Sequence, residues 1–470
     1  MANMVLGVIV GNRDFFPDQL VTEARGDLAE VLPAMGLEAV MLEENQSKLG
    51  SVETWEHAQR CAALFRAHRD RIAGVLVCLP NFGDEKGVAE TLKMAELNVP
   101  VLIQAYPDDL NQLGVTRRRD AFCGKISVCN NLRQYGIPFS LTEQHTVPVA
   151  SDEFRSDLGR FVAICRVVRG LRRARIGAVG ARPNAFNTTR YSEKLLQSAG
   201  IGVSTIDLSD VFGRAERVGE SDPRLREKLA SIHGYAATDG VPEASLTRMA
   251  RLGVVLTEWM EQNGIQATAI QCWSSMQQNF GVNCCTLMSM MSENLMPSAC
   301  EVDVTGVVTM YALQLASGRP SALVDWNNNY GRDPNKCVLF HCGNWAKSFL
   351  PDAQIGTAPI LGSVLGEQNT YGALAGRTPA GPLTYARVST DDASGRIRAY
   401  TGEGSFTDDP LATFGTRAVA EVPELQRLMR YICKNGFEHH AAMSASHCAG
   451  VLAEALETYL GWDVHQHPGD

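Results

Sequence analysis

The stretch IAGVLVCL, residues 72 to 79, carries no charge and no polar alternation over eight positions. A strand with one wet face alternates polar and apolar side chains. An unbroken apolar run of this length therefore predicts a strand covered on both faces, the usual condition of a parallel sheet. Working outward, Val5 to Val10, Ala39 to Leu42 and Val99 to Ala105 repeat the pattern, with amphipathic helical stretches between them. The first part of the chain thus predicts a Rossmann-like, doubly wound α/β domain over residues 1–148. After Thr146, Val147 and Pro148 a helical stretch from Asp152 to Arg169 leads into ARIGAVGARPNAFNTT, which reads as a strand ending in a Gly-rich turn. Strands at Val203 to Leu208 and Ile265 to Cys272, with helices around Asp222 to Ile232 and Glu243 to Gln262, predict a second such domain over 149–317. From residue 318 the texture changes. Ala322 to Trp326, Cys337 to His341, Leu383 to Ser389 and Ile397 to Gly402 read as strands joined by turn-rich segments, and helical patterns return only near Glu424 to Cys433 and His447 to Tyr459. Residues 318–470 therefore predict a β-rich C-terminal domain.

Composition bounds the function. The chain has 470 residues, 45% hydrophobic and 20% charged, with a net charge of -9, which fits a soluble multidomain protein and argues against long disorder. Its basic residues form only short clusters, Arg117 to Arg119 and Arg172, Arg173 and Arg175, so nucleic acid is not an expected partner and these clusters read as solvated surface. The opening apolar run, Met4 to Val10, lacks a basic segment before it and reads as a first strand. No later run approaches the roughly 20 apolar residues that span a bilayer, so no membrane association is expected. Thirteen scattered cysteines with no C-x-x-C suggest free thiols in a reducing compartment, and the cytoplasm is the expected location. No complete G-x-G-x-x-G, P-loop or G-x-S-x-G is present.

The chemistry points to the last 200 residues. Glu301 in ACEVDVTG and Asp325 in ALVDWNNN lie in or beside apolar segments, where an acid needs a cation or a hydrogen-bonding partner. Either acid alone would more commonly cap a helix or form an ion pair. Six of the ten histidines also fall in the last third: His341, His439, His440, His447, His465 and His467. His341 closes the apolar run CVLFH, and His439 and His440 precede small residues that leave room for imidazoles. Two carboxylates and a neutral imidazole make an oxygen and nitrogen site suited to Mn²⁺, with Mg²⁺, Co²⁺ or Fe²⁺ as competitors. His447 reads as capping or packing beneath the last helix, and His465 and His467 as a mobile tail. Cys272, Cys342 and Cys448 read as inert buried thiols.

These motifs resemble the L-fucose isomerase and L-arabinose isomerase superfamily, in a shorter, fucose-isomerase-like form. The likeness rests on CEVDVTG, VDWNNN and the seven-residue spacing from His440 to His447. It implies Glu301, Asp325 and His440 as metal ligands, with Glu301 and Asp325 also serving as acid and base. Gln271, Trp273, Trp326, His341 and His439 are the implied substrate contacts, His341 standing near where arabinose isomerases carry an additional ligand. His439 and Ala441 depart from the Asn and Gly usual in fucose isomerases, which points to a different sugar. The implied activity is metal-dependent aldose-ketose isomerisation of a fucose- or arabinose-like, deoxy or acid-substituted monosaccharide through a cis-enediol, with a metal-assisted hydride shift as the competing mechanism. A homo-oligomer, hexameric in the family, is implied as well. Readings from other classes are a non-catalytic sugar sensor and a metal-dependent carbohydrate hydrolase or aldolase.

Overall fold

The structure is a computed structural model that describes residues 4–468. It divides into two compact units, one of residues 4–169 with 458–460, the other of 170–457 with 461–468.

The first unit is built on β1 (Met4–Val10), β2 (Leu37–Val40), β3 (Ile72–Leu79), β4 (Val101–Ala105) and β5 (Ser140–Leu141). They form one sheet in the order β2-β1-β3-β4-β5, with every pairing parallel. The quoted run is β3, and its alternate residues serve two cores. Val75, Val77 and Leu79 pack with Phe65, Val88 and Val128, whereas Leu76 and Cys78 pack with Val21, Leu28 and Phe154. Both faces are covered, so the run has no polar alternation. The helix Ala121–Gln134 lies so close to the segment after β3 that a Cβ added at Gly124 would stand 1.6 Å from the Phe82 carbonyl oxygen. Backbone cannot swing aside as a side chain can. Gly124→Ala is therefore expected to destabilise this unit by about 1–3 kcal/mol despite the better helix propensity of Ala, read as a lowered urea midpoint at unchanged slope.

The second unit begins with a parallel sheet of β6 (Arg175–Val179), β7 (Gly202–Ile206), β8 (Ala267–Ile270) and β9 (Ser298–Ala299) in the order β7-β6-β8-β9. After the helix Val304–Ser317 come β10 (Ser321–Asn329), β11 (Lys336–His341), β12 (Gln354–Gly356), β13 (Ala373–Arg377), β14 (Gly381–Asp391), β15 (Arg396–Thr407), β16 (Thr416–Glu421), β17 (His440–Ser444) and β18 (Asp463–His467). Six of these close on themselves in the order β11-β10-β17-β14-β15-β16, each pair antiparallel, because β16 pairs with both β15 and β11. Closure leaves this ring no free edge; β13 adds to β16 and β18 to β15, both in parallel. One continuous core joins the parallel sheet to the ring, from Val179 and Ile270 through Trp345 to Tyr385 and Met443.

Two expectations fail here. The segment read as a mobile tail is β18: the His465 ring stacks on Tyr431 at 3.8 Å, and buried His467 donates through Nε2 to the Pro423 carbonyl at 2.9 Å. His447 caps nothing; it is exposed, with Nε2 3.4 Å from the Gly404 carbonyl, while the following helix starts at Ala449 without a side-chain cap. Among the described residues no helix is long and apolar enough to cross a membrane.

Candidate active site

Strand register begins the site. β10 and β17 are antiparallel neighbours with Asp325 directly opposite His440, and opposed residues of such a pair point to the same face. His341 arrives as the last residue of β11. Glu301 comes from the turn between β9 and the helix Val304–Ser317, where Glu301 and Val302 take left-handed φ of 55° and 54°. This conformation costs of order 1–3 kcal/mol for each such residue. The helix begins immediately afterwards, capped by Asp303, whose Oδ1 accepts from the Gly306 amide at 2.8 Å.

The donor atoms fall into two groups that share His440: Glu301, His341 and His440 in one, Asp325, His439 and His440 in the other, each with its atoms within 4.8 Å of one another. His440 Nε2 is 3.8 Å from Glu301 Oε2 and 3.4 Å from Asp325 Oδ1, and His341 Nε2 is 3.8 Å from the same Glu301 oxygen. Glu301 Oε1 is already engaged, accepting from Trp273 Nε1 at 3.0 Å and Cys272 Sγ at 3.4 Å. Oε2, like His341 Nε2, is buried with no hydrogen-bond partner among the described residues. Burial pushes the Glu301 carboxyl above its usual range, against the pull of His341 and His440.

Behind these atoms lies a charged network in the core. Asp303 Oδ2 lies 2.8 Å from His440 Nδ1, while Arg387 donates to both Asp303 oxygens at 2.6 and 2.9 Å and to Glu438 at 3.2 Å. Ser389 donates to the other Glu438 oxygen at 2.8 Å. Burial alone would push Asp303 up, but Arg387 and His440 outweigh it and hold the carboxyl far below its ordinary range. An ionised Asp303 can only accept, so His440 carries its proton on Nδ1 and presents the Nε2 lone pair to the carboxylates. His341 has the opposite polarity: its Nδ1 accepts from the Cys342 amide at 3.0 Å, which leaves a ring proton on Nε2. His440 Nε2 is therefore free to accept, and His341 Nε2 to donate. Asp303→Asn, which loses the oriented acceptor, is expected to weaken Mn²⁺ binding about 10–100-fold, measured by calorimetric titration of the folded variant.

The remaining expected residues fall into two groups. Trp273 and His439 join the cluster: Trp273 bonds Glu301, and His439 Nε2 is 3.5 Å from Asp325 Oδ1. Phe186, which sequence reading passed over, sits edge-on to Trp273 at 5.3 Å and to His439 at 5.5 Å, forming an apolar wall beside the donors. Gln271 and Trp326 are not brought into contact with the donors. Gln271 accepts from the Ala181 amide at 2.9 Å and lines a cavity of about 810 Å³ with Gly180, Asp207 and Ser275. Trp326, one residue beyond Asp325, turns to the other side of the strand as alternation requires and donates to the Tyr400 hydroxyl at 2.9 Å. Asp303, Arg387 and Glu438 were also missed.

The donor set can be tested for fit to an ion. Two donors about 2.1 Å from one cation stand about 3.0–3.5 Å apart at angles of 90–110°. The observed 3.4 and 3.8 Å around His440 Nε2 are close to that on each side, so a cation held by all three would draw the Glu301 and Asp325 carboxylates towards each other, and it would satisfy the buried, unpartnered Glu301 Oε2. Two carboxylates and one imidazole of fixed tautomer suit a hard to borderline ion such as Mn²⁺.

Comparison with known proteins agrees with the motifs. Residues 7–172 match the family model described as fucose/sulfoquinovose isomerase, N-terminal domain, and residues 339–467 match that of L-fucose isomerase, C-terminal domain. The chain is 26% identical over 352 residues to the sulfoquinovose isomerase of Alkalicoccus urumqiensis, covering 74% of this chain and 76% of that one. It is 24% identical over 380 residues to the sulfoquinovose isomerase of Priestia aryabhattai, covering 80% and 81% respectively.

Proposed function

This chain belongs to the fucose-isomerase-like family and is an aldose-ketose isomerase, and on that premise we propose that it converts a sulfoquinovose- or fucose-like aldose to its ketose at a metal centre held by Glu301, Asp325 and His440. The observation that carries the reading is that His440 Nε2 stands between Glu301 Oε2 at 3.8 Å and Asp325 Oδ1 at 3.4 Å, with the first of these oxygens buried and unpartnered. A bound Mn²⁺ would supply Lewis-acid stabilisation to the negative charge that develops on adjacent sugar oxygens as the C1–C2 proton is moved.

The protein's own groups divide the rest. Glu301 and Asp325 exchange the proton through a cis-enediol, one removing it from one carbon and the other returning it to the neighbouring carbon. The Nε2–H of His341 lies beside the reacting region to hold a sugar oxygen. Trp273 and Phe186 form an apolar flank at 5.3 Å from each other, which excludes water and packs against the C–H face of a sugar. The two relatives named as sulfoquinovose isomerases favour an acid-substituted hexose over a neutral one. Neither sensor nor hydrolase gains an observation.

A homo-oligomer is part of the proposal, supported by apolar side chains left exposed in the first unit, Leu110 at 83%, Val115 at 88% and Ile126 at 56%. Sedimentation equilibrium is expected to return a multiple of the 51.1 kDa chain mass, and a monomer would remove this part.

The activity is tested by stripping the protein with a chelator, restoring Mn²⁺, and following sulfoquinovose, L-fucose and D-arabinose by NMR in D₂O. Conversion of one sugar with deuterium appearing at C1 or C2 is expected. Conversion without deuterium would replace the enediol by a hydride shift, and no conversion with Mn²⁺ bound would refute the substrate class.

A further inference from the structure

Beside Glu301 and His341 stands a group of sulfur atoms that isomerisation does not use. Cys285 is the first residue of the helix Cys285–Glu293, Cys300 immediately precedes Glu301, and Cys342 immediately follows His341. These come from three separate elements, yet their Sγ atoms all lie within 4.8 Å of one another. Met288, three residues along the helix from Cys285, brings a fourth sulfur to 3.9 Å from Cys300 Sγ. Asn344 Nδ2 donates to Cys300 Sγ at 3.4 Å, and Asn344 Oδ1 is buried without a hydrogen-bond partner. A buried thiol acting as a small hydrophobe gains nothing special from other thiols. Three converging thiols and an unpartnered carbonyl oxygen make instead a ligand set.

We propose that Cys285, Cys300 and Cys342 form a second metal site for a thiophilic divalent cation of the Zn²⁺ class, separate from the oxygen and nitrogen donors of Glu301, Asp325 and His440. In a tetrahedral site with Zn–S bonds of about 2.3 Å the sulfurs stand about 3.8 Å apart, so the observed cluster needs to contract by no more than about 1 Å. The Asn344 amide, which turns Nδ2 to Cys300 Sγ at 3.4 Å, would have to rotate to offer Oδ1 to the fourth position, which otherwise falls to water. Cys342 is half-buried while Cys285 and Cys300 are buried, so the cation enters from the Cys342 side. All three sulfurs bind as thiolates, and the thiol protons displaced pass to solvent. The bound ion ties the helix, the Glu301 turn and the end of β11 together, and so buttresses two of the residues that face the sugar.

The sulfur preference separates the two sites. Reduced, chelator-stripped protein is given excess Mn²⁺ and then one equivalent of Zn²⁺, and the zinc-edge X-ray absorption fine structure is recorded. Three sulfur neighbours at about 2.3 Å are expected. Only oxygen and nitrogen neighbours, or no retained zinc, overturns the proposal and leaves the Glu301 site untouched. In parallel, Cd²⁺ is titrated while the ultraviolet thiolate-to-cadmium band is read. The band is expected to be lost in Cys285→Ser and in Cys342→Ser but retained in Cys123→Ser and Cys433→Ser, whose thiols are exposed. Retention in the first pair would assign the cation to other thiols. Should the first pair not fold, the zinc spectrum of the unaltered protein decides alone.

Discussion

Glu301→Gln and Asp325→Asn are each expected to lower kcat/KM by on the order of 10³-fold, because each removes an acid-base group and a ligand together. The substitutions preserve shape. Gln at 301 still offers an oxygen to Trp273 Nε1, which donates to Glu301 at 3.0 Å, so lost activity is not lost folding. The stability expectation runs the other way for Glu301: its carboxyl is raised by burial, so the buried charge destabilises the metal-free fold at neutral pH. Metal-free Glu301→Gln is therefore expected to melt at or above the wild-type temperature, while Mn²⁺ raises the melting temperature of the wild type only. Steady-state kinetics with thermal melts in both metal states checks all four expectations. Near-wild-type activity in either variant would remove that carboxylate from the mechanism.

Arg387→Met is expected to destabilise the second unit by about 3–5 kcal/mol, the usual cost of leaving buried partner charges uncompensated. Arg387 and Asp303 are both 0% exposed, and Glu438 is buried beside them. Removing the guanidinium strands two carboxylates at once. Arg387→Lys retains one positive charge but not the two-pronged contact with Asp303, and recovers only part of the loss. The sign with pH follows from Asp303, which is held far below its ordinary range. Its share of the stability is present above the unfolded carboxyl pKa of about 4 and is lost as pH falls below it. The gap between wild type and Arg387→Met in urea titrations is thus expected to narrow in acid. An equal gap at pH 7 and pH 3 would show that Asp303 is not the group Arg387 holds.

The sequence was most legible where one residue's burial demands an explanation. An acid in an apolar run led to Glu301 and Asp325, and the same logic applied to Arg387, set in the apolar run LTYARVS, points to a buried partner. Asp303 stood two residues from Glu301 inside a quoted motif, yet a residue that orients a ligand from behind leaves no spacing signal of its own. The parallel strands were legible because burial on both faces erases alternation, as in β3. By contrast β17, HAAMS, has no β-branched residue, and its small side chains read as space for imidazoles rather than as a strand. Closure of the ring rests on β15 pairing with β16, a contact that no local pattern encodes. His341 and His440 look alike in sequence; what separates them is an amide donor at one Nδ1 and an ionised carboxylate at the other.

The central claim is the place of the ion, and crystals grown with Mn²⁺ and measured at the manganese absorption edge test it most directly. One strong anomalous peak per chain is expected, within about 2.0–2.3 Å of Glu301 Oε2, Asp325 Oδ1 and His440 Nε2, with His341 Nε2 outside bonding distance. A peak elsewhere, or none beside these three atoms in Mn²⁺-saturated crystals, would contradict the account.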